Sequence, residues 1–243
     1  MGYAGGVRID HAMGLMRLWV IPEGAKSVDG VYLRYPLDDL LRLLALESHR
    51  ARAIVIGENL GTVPQGFNET LTYRGLAGMQ VLWFEQQDAQ FIPPRRWRGD
   101  SVAMTTTHDL PTVAGWWNGR DIEWRTKAGI RTFKGDEAAE WQERHDEKQR
   151  LWSALIDADC VPAGPQPNHA GPVVDGAARF IGSTPCALAI LAVEDMCALE
   201  DQPNLPGTIN EHPNWRRRLP TGNLFAQAGV AERLERFRRA RLS

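Results

Sequence analysis

Five short apolar runs, each followed by acidic residues, constrain the fold of this chain more than any other feature of its sequence. They span residues 6–9, 53–57, 79–84, 101–107 and 186–193. Runs this short and nearly uninterrupted, with many β-branched residues, are typical of parallel strands that are buried on both faces. The acids that follow them are Asp10, Glu58, Glu85, Asp109 and the pair Glu194 and Asp195.

Helical spacing of apolar residues, together with capping residues, occurs between these runs. Helices are predicted at residues 37–46, 62–75, 113–117, 136–159 and 233–241, and proline-rich loops at residues 160–176 and 200–222. Strands that alternate with helices form βαβ units with right-handed crossovers. The sequence therefore predicts an α/β fold with parallel strands.

Composition excludes several classes of protein. The chain has 243 residues and a formal net charge of −2, so no nucleic acid or membrane is expected as a partner. Its three cysteines have no Cys-x-x-Cys spacing and its six histidines are scattered, so we expect no disulfide framework, no metal and no cofactor. A reducing, cytoplasmic location is the corresponding prediction. The basic segment 233–241 is interpreted as a solvated helix face.

Acids at the ends of successive parallel strands indicate a shared site. In parallel α/β sheets and barrels, the active site lies at the carboxyl ends of the strands. A single acid there is more often a helix cap or a surface charge, but repetition at each strand favours a common pocket. Neighbouring carboxyl groups separate their pKa values, which provides one ionised carboxylate and one protonated acid for glycosidic chemistry.

Local sequence suggests a role for three of these acids. Arg8 lies on the same strand face as Asp10, where it would keep a nucleophile ionised, although a purely structural ion pair is the alternative. Glu58 lies between glycines that allow a ligand to approach closely. His108 beside Asp109 offers a donor and an acid for sugar hydroxyls.

Four motifs together resemble the 4-alpha-glucanotransferases, also called amylomaltases or disproportionating enzymes, of the α-amylase clan. They are Arg-Ile-Asp-His, Val-Ile-Gly-Glu-Asn-Leu-Gly-Thr-Val-Pro, Thr-His-Asp-Leu-Pro-Thr and Pro-Gly-Thr followed by Asn-Trp-Arg-Arg. The second motif is the most specific, and the resemblance covers residues 2–220. It implies a (β/α)8 barrel and a retaining double displacement on α-1,4-glucans.

The resemblance also implies a role for each matching residue. Asp10 corresponds to the nucleophile, Glu58 to the general acid and base, and Asp109 to the acid that stabilises the transition state. The substrate-binding residues it implies are Arg8, His108, Glu85 and Asn204. Retention would require the carboxyl groups of Asp10 and Glu58 to lie about 5–5.5 Å apart.

One feature departs from the family pattern, because the nucleophile normally follows the fourth of eight barrel strands, and Asp10 stands close to the first residue. We therefore expect residues 1–243 to form the C-terminal portion of the barrel domain, with about the fourth to eighth strand-helix units. The missing N-terminal half of the barrel is then an expected partner, beside the maltooligosaccharide substrate.

Two other functions remain open at this stage. One is an α-glucan hydrolase of the same clan, and the other is a truncated product without activity. A transferase needs apolar platforms that position an acceptor sugar and exclude water. Trp19, Trp83, Trp116 and Trp117 are candidates for such platforms, with packing in the core as the alternative for each.

Overall fold

The computed structural model describes residues 3–130, 137–220 and 222–242. Its strands are β1 (Gly6–Ile9), β2 (Arg17–Val20), β3 (Val31–Arg34), β4 (Ile54–Gly57), β5 (Ala77–Val81), β6 (Gln86–Gln87), β7 (Gln90–Phe91), β8 (Ser101–Met104) and β9 (Leu188–Ile190). Its α-helices are α1 (Leu37–Ala51), α2 (Phe67–Tyr73), α3 (Val113–Asn118), α4 (Arg120–Lys127), α5 (Glu137–Asp157), α6 (Gly171–Gly182), α7 (Val193–Met196) and α8 (Ala228–Leu242).

The five predicted strands form one sheet with the order β1-β4-β5-β8-β9. β1 pairs in parallel with β4, with Ile9 opposite Gly57, and β4 pairs in parallel with β5. The predicted α/β class with five parallel strands is confirmed. Burial on both faces is observed for most of β5 and β8, but the prediction is wrong for β1, which is largely exposed. β1 is the edge strand of the described sheet.

The third strand ends earlier than the sequence predicts. The apolar run continues to residue 84, but β5 ends at Val81 because the chain turns there. The backbone N–H groups of Phe84 and Glu85 both donate to the carbonyl oxygen of Val81, at 2.9 and 3.2 Å. Likewise β8 ends at Met104, so His108 and Asp109 lie on a loop.

The helix predictions are correct in part. α2 begins at Phe67, five residues after the predicted start, and Gly75 follows its end with a φ of +77°. α3 begins as predicted, because the Thr112 hydroxyl accepts a hydrogen bond from the Gly115 N–H at 2.9 Å. The predicted loop at 160–176 is wrong from residue 171 onward, where α6 begins. Residue 136 of the predicted helix at 136–159 lies outside the described residues.

A hairpin that the sequence analysis did not predict follows β1. It consists of the antiparallel strands β2 and β3, with Trp19 opposite Tyr32. The two rings make an edge contact with centroids 4.8 Å apart, and both remain exposed. Most apolar side chains of this hairpin are open to solvent.

The chain divides into two compact units. The first unit contains residues 1–79 and 100–102, and the second contains residues 80–99 and 103–243. In the first, α1 and α2 bury Leu41, Phe67 and Leu71. In the second, α3, α5 and α6 pack around Trp117, Leu155 and Phe180 among others. Among the residues that the structure describes, every helix is too short or too polar to cross a bilayer.

Candidate active site

Asp10 lies directly beyond the carboxyl end of β1, in the first unit. The Arg8 guanidinium contacts its carboxylate, with Nη1 and Oδ1 2.7 Å apart. The side chain of Asp10 is 75% exposed, so it is free to meet a ligand. The next residue, His11, has a φ of +44° and turns the chain into the 3-10 helix Ala12–Leu15. A guanidinium at this distance orients a carboxylate.

Glu58 lies beyond the carboxyl end of the neighbouring strand β4, and only 9% of it is exposed. Its Oε2 accepts a hydrogen bond from the backbone N–H of His11, and its Oε1 accepts one from that of Leu60, each at 2.7 Å. Its own N–H donates to the carbonyl of Ile9 at 2.9 Å. Glu58 is therefore bonded to the residues on both sides of Asp10, which brings the two acids to one edge of the sheet.

Asp109 lies in the second unit, on the loop between β8 and α3. Its Oδ1 accepts a hydrogen bond from the Asn204 side-chain amide at 2.7 Å, and its Oδ2 lies 3.2 Å from His108 Nε2. The backbone N–H of Asn204 donates to the His108 carbonyl at 3.1 Å. Both carboxylate oxygens are thus oriented, while 45% of the side chain stays exposed. The structure brings together three of the predicted site residues here.

A cleft of about 680 Å³ adjoins this cluster within the second unit. His108, Thr106 and Glu194 line it, together with Trp215 and Arg217. Trp215 is 66% exposed, and the centroid of its ring lies 5.2 Å from that of the His108 ring. The Trp215 backbone has a φ of +59°, an uncommon conformation for a bulky residue. Its N–H donates to the Pro203 carbonyl at 3.0 Å, which holds it there.

Glu85 does not lie at a strand end, in contrast to the prediction. It lies in the turn after β5, where its Oε2 accepts a hydrogen bond from the Gln80 side-chain amide at 2.7 Å. Burial raises the pKa of Glu85, while this hydrogen bond and the charge of Arg98 act in the opposite direction. Its predicted role as a substrate contact remains a prediction.

The four candidate tryptophans are in different environments. Trp116 and Trp117 are buried in the core of the second unit, so they are packing residues. Trp83 stacks on Trp116 with centroids 4.7 Å apart and donates its ring N–H to the Pro111 carbonyl. Trp19 is exposed on the β2–β3 hairpin. Trp215, which belongs to one of the quoted motifs but was not selected from the sequence, is exposed beside His108 at the cleft.

Two polar residues support the Asp109 loop: Gln202, which sequence reasoning missed, and Asp195, which it identified only as an acid after a strand. Gln202 donates from one amide to the carbonyl oxygens of Asp109, at 3.3 Å, and Asn204, at 2.6 Å. Asp195 accepts hydrogen bonds from both ends of that loop. In the described part of the chain, His, Cys, Asp and Glu side chains form no group of three or more that would hold a metal ion.

Comparison with known proteins identifies the family. The sequence model of a family described as 4-alpha-glucanotransferase matches residues 1–224. The chain belongs to the 4-alpha-glucanotransferase family. The 4-alpha-glucanotransferase of Mycobacterium tuberculosis (strain H37Rv) is 38% identical over 219 residues, which are 88% of this chain and 30% of that protein. The 4-alpha-glucanotransferase of Haemophilus influenzae is 33% identical over 242 residues, 95% of this chain and 34% of that protein.

Solved structures of amylomaltases have the same fold. The crystal structure of amylomaltase from Corynebacterium glutamicum matches with a TM-score of 0.82 and 31% identity, covering 98% of this chain and 36% of that one. The amylomaltase from Streptococcus agalactiae in complex with acarbose matches with a TM-score of 0.69 and 18% identity, which supports the fold alone. The predicted fold, part of a (β/α)8 barrel, is confirmed. This member of the 4-alpha-glucanotransferase family spans about a third of the length of these relatives.

Proposed function

We propose that this chain is the catalytic C-terminal part of a 4-alpha-glucanotransferase. The enzyme would transfer segments of α-1,4-glucan to another glucan or to glucose by a retaining double displacement. The observation that carries this proposal is the pairing of an Arg8-bound Asp10 with a buried Glu58 at the ends of two adjacent parallel strands. Two carboxyl groups with different surroundings are what a retaining mechanism requires.

In the first step, an Asp10 carboxylate oxygen attacks C1 of the donor sugar at the scissile bond. The bond between C1 and the glycosidic oxygen breaks, and Glu58 gives its proton to that oxygen, so the departing glucan leaves with a free 4-hydroxyl group. The product is a β-linked glycosyl ester of Asp10. Arg8, 2.7 Å from the carboxylate, orients Asp10 for this attack.

In the second step, the 4-hydroxyl oxygen of an acceptor glucan attacks C1 of the ester. Glu58, now a carboxylate, removes the hydroxyl proton, and the bond to Asp10 breaks. A new α-1,4 bond forms and both carboxyl groups return to their starting states. No water is consumed, so the number of glycosidic bonds stays constant.

The hydrogen bonds of Glu58 are compatible with both of its roles. Each carboxyl oxygen has two lone-pair directions, and each accepts a single backbone N–H, from His11 or Leu60. One direction on each oxygen therefore remains for the transferred proton. The two N–H groups also fix the plane of the carboxyl group, which orients that proton before substrate binds.

Asp109 is the proposed third acid, and the adjoining cleft is the proposed sugar site. A carboxylate oriented by Asn204 and His108 would accept hydrogen bonds from sugar hydroxyls and stabilise the positive charge of the oxocarbenium-like transition state. The exposed ring of Trp215 offers a flat apolar surface for a sugar face.

The second proposed partner is the N-terminal part of the same enzyme, with the first three barrel strands. Support comes from the exposed edge strand β1 and from the open apolar side chains of Val31 and Leu33 on the hairpin. Exposed apolar surface of this kind marks an interaction site. The isolated chain, folded and monodisperse, is accordingly expected not to act on maltotriose. We further place the enzyme in the cytoplasm, in maltodextrin and glycogen metabolism.

The test is disproportionation of maltotriose by the full-length product of the gene that encodes this chain. A ladder of longer maltodextrins is expected, and shortening of all products would instead indicate a hydrolase. Glu58→Gln is expected to lower the rate by about 100- to 10,000-fold, because general acid and base catalysis is lost. An activated donor such as a glucosyl fluoride should restore the first step, since its leaving group needs no proton.

The matched control is Glu69→Gln, which alters an exposed glutamate in the first turn of α2 in the same unit. It should disproportionate maltotriose at the unaltered rate. Normal disproportionation by Glu58→Gln would contradict the assignment of the acid and base. Full activity of the isolated 243-residue chain would contradict the need for the N-terminal part.

A further inference from the structure

Asp195 is a fully buried carboxylate that the proposed mechanism does not use. It lies in the short helix α7, which follows β9, and its relative exposure is 0%. Removing a carboxylate from water is costly unless hydrogen bonds compensate for it. Burial raises the pKa of Asp195 to about 6, so the group is largely ionised at neutral pH. A buried charge of this kind requires an explanation from its contacts.

The two oxygens of Asp195 bind opposite ends of one loop. Oδ2 accepts a hydrogen bond from the Thr105 hydroxyl at 2.5 Å, and Oδ1 accepts one from the Val113 backbone N–H at 2.7 Å. Thr105 directly follows β8, and Val113 is the first residue of α3. Residues 106–112, which lie between these two points, carry His108 and Asp109. One carboxylate thus joins the start and the end of the segment that bears the proposed third acid.

Further contacts join the chain after α7 to the end of this loop and to the start of α3. The Thr112 hydroxyl donates to the carbonyl of Leu199 at 2.6 Å, and the backbone of Glu200 lies against Gly115, where a Cβ atom would be 2.0 Å from its carbonyl oxygen. The chain that follows α7 is therefore packed on the loop and on the start of α3. The charged groups that act on Asp195 are Glu194, its neighbour in α7, and Arg233 of α8.

We propose that Asp195 is a positioning residue that clamps the 106–112 loop and thereby fixes the orientation of Asp109. This inference rests on the proposed function, since it concerns the geometry of the same site. Its two hydrogen bonds join the ends of the loop that carries Asp109, so its effect acts through Asp109. A displacement of about 1 Å in a catalytic group lowers the rate by about 100-fold, which makes a rigid loop necessary.

The chemistry of the clamp predicts how substitutions differ. Asp195→Asn keeps an oxygen that accepts from Val113 N–H, and its amide would donate to the Thr105 hydroxyl oxygen, so both ends of the loop stay joined. Asp195→Ala removes both bonds. Thr105→Val removes one bond and keeps the volume of the side chain. The expected order of loop rigidity is therefore Asp195→Asn, then Thr105→Val, then Asp195→Ala.

The matched control is Thr184→Val. Thr184 is also a buried threonine of the second unit, and its hydroxyl donates to the Ile181 carbonyl at 2.8 Å, at the end of α6. Each threonine variant loses one buried hydrogen bond, and Thr105→Val should be destabilised more because its acceptor is a buried carboxylate. Only Thr105→Val should affect the loop. If Asp195→Ala does not fold, the comparison of Thr105→Val with Thr184→Val still tests the proposal.

The experiment measures kcat and KM for maltotriose in the full-length enzyme, together with amide hydrogen exchange of the peptide that covers residues 106–112. Asp195→Ala should lower kcat about 100-fold with less than a threefold change in KM, and Thr105→Val about 10-fold. Asp195→Asn should retain kcat within about 10-fold, and Thr184→Val should equal the unaltered enzyme. Loop exchange should accelerate in the same order as kcat falls.

The outcomes distinguish failure of the clamp from failure of the proposed function. Unchanged kcat or unchanged loop exchange in folded Asp195→Ala or Thr105→Val would overturn the clamp. Equal losses in Thr105→Val and Thr184→Val would overturn it too, because they would indicate general destabilisation. An unaltered full-length enzyme that transfers no glucan would overturn the proposed function and the catalytic part of this inference. The exchange data would still show whether Asp195 holds the loop.

Discussion

The hydrogen bond between Asn204 and Asp109 allows the proposed role of Asp109 to be tested. Asn204 makes two contacts with the loop, one from its side chain to Asp109 Oδ1 at 2.7 Å and one from its backbone to the His108 carbonyl. The substitution Asn204→Ala removes the first contact and keeps the second. The loop therefore stays attached while one carboxylate oxygen of Asp109 loses its donor.

The size of the effect follows from the exposure of Asp109. A hydrogen bond to a charged group contributes about 1.5–3 kcal/mol. Asp109 is 45% exposed, so water replaces part of the lost donor and the lower end of that range applies. About 1.4 kcal/mol corresponds to a factor of 10 in rate. We therefore expect kcat/KM for maltotriose to fall about 10-fold in Asn204→Ala.

A second substitution at this position separates orientation from charge. Asn204→Asp has nearly the same shape but places a carboxylate 2.7 Å from Asp109 Oδ1 instead of a donor. Like charges at this distance repel, so kcat/KM should fall further, by about 100-fold at neutral pH. The control is Asn118→Ala, because Asn118 donates to a Glu200 carboxylate oxygen at the same distance of 2.7 Å. Equal activity of Asn204→Ala and Asn118→Ala would refute the reasoning.

Two further predictions concern Trp215 and the protonation of Asp195. Trp215→Ala should raise KM for maltotriose about 2- to 10-fold with kcat nearly unchanged, since a stacked ring contributes about 0.5–1.5 kcal/mol, and an unaltered KM would contradict the sugar platform. The pKa of Asp195 is raised to about 6 in the folded protein, so the folded state binds more protons than the unfolded state between about pH 4 and pH 6. The contribution of Asp195 to the free energy of unfolding should therefore fall as the pH rises through this range. In urea unfolding, the free energy of unfolding of the original protein minus that of Asp195→Asn should fall by about 2–3 kcal/mol between pH 4 and pH 7. An equal difference at both pH values would contradict the raised pKa.

The sequence predicted the strand-end acids of the first unit because the signal there is local. Asp10 and Glu58 each follow a short apolar run directly, and the strands end where the acids begin. The same signal misplaced Glu85, because apolar residues continue through Trp83 and Phe84 although the strand ends at Val81. An apolar side chain in a buried turn is indistinguishable in sequence from one in a buried strand.

The errors in helices have a similar local cause. Gly171 and Pro172 were interpreted as loop residues, yet proline is favoured at the first positions of a helix, and α6 begins there. The apolar face of Val173, Ala177 and Phe180 that follows was available as a signal for this helix. The sequence pattern indicates the hairpin of β2 and β3 less clearly, because its apolar side chains are exposed and do not alternate between a buried and an exposed face.

The contacts that support the Asp109 loop lie beyond sequence reasoning for a different reason, although Asp195 itself was identified as an acid after a strand. Gln202 is 93 positions from Asp109, and Asp195 is 90 positions from Thr105. No local pattern marks such pairs, since only the folded chain brings them together. Trp215 had a weak signal, because it belongs to one of the four motifs that carry the family resemblance. Its exposure beside His108 became visible only in the structure.

Trapping the covalent intermediate on Asp10 tests the proposed double displacement. The full-length Glu58→Gln enzyme is incubated with an activated donor such as a maltotriosyl fluoride, and its peptides are then analysed by mass spectrometry. The first step proceeds without a proton donor, while the second is slow because no base activates the acceptor. The proposed double displacement predicts one glycosyl adduct on the peptide that contains Asp10, absent when Asp10 is also changed to Asn. An adduct on another carboxylate, or an inverted product without any adduct, would contradict it.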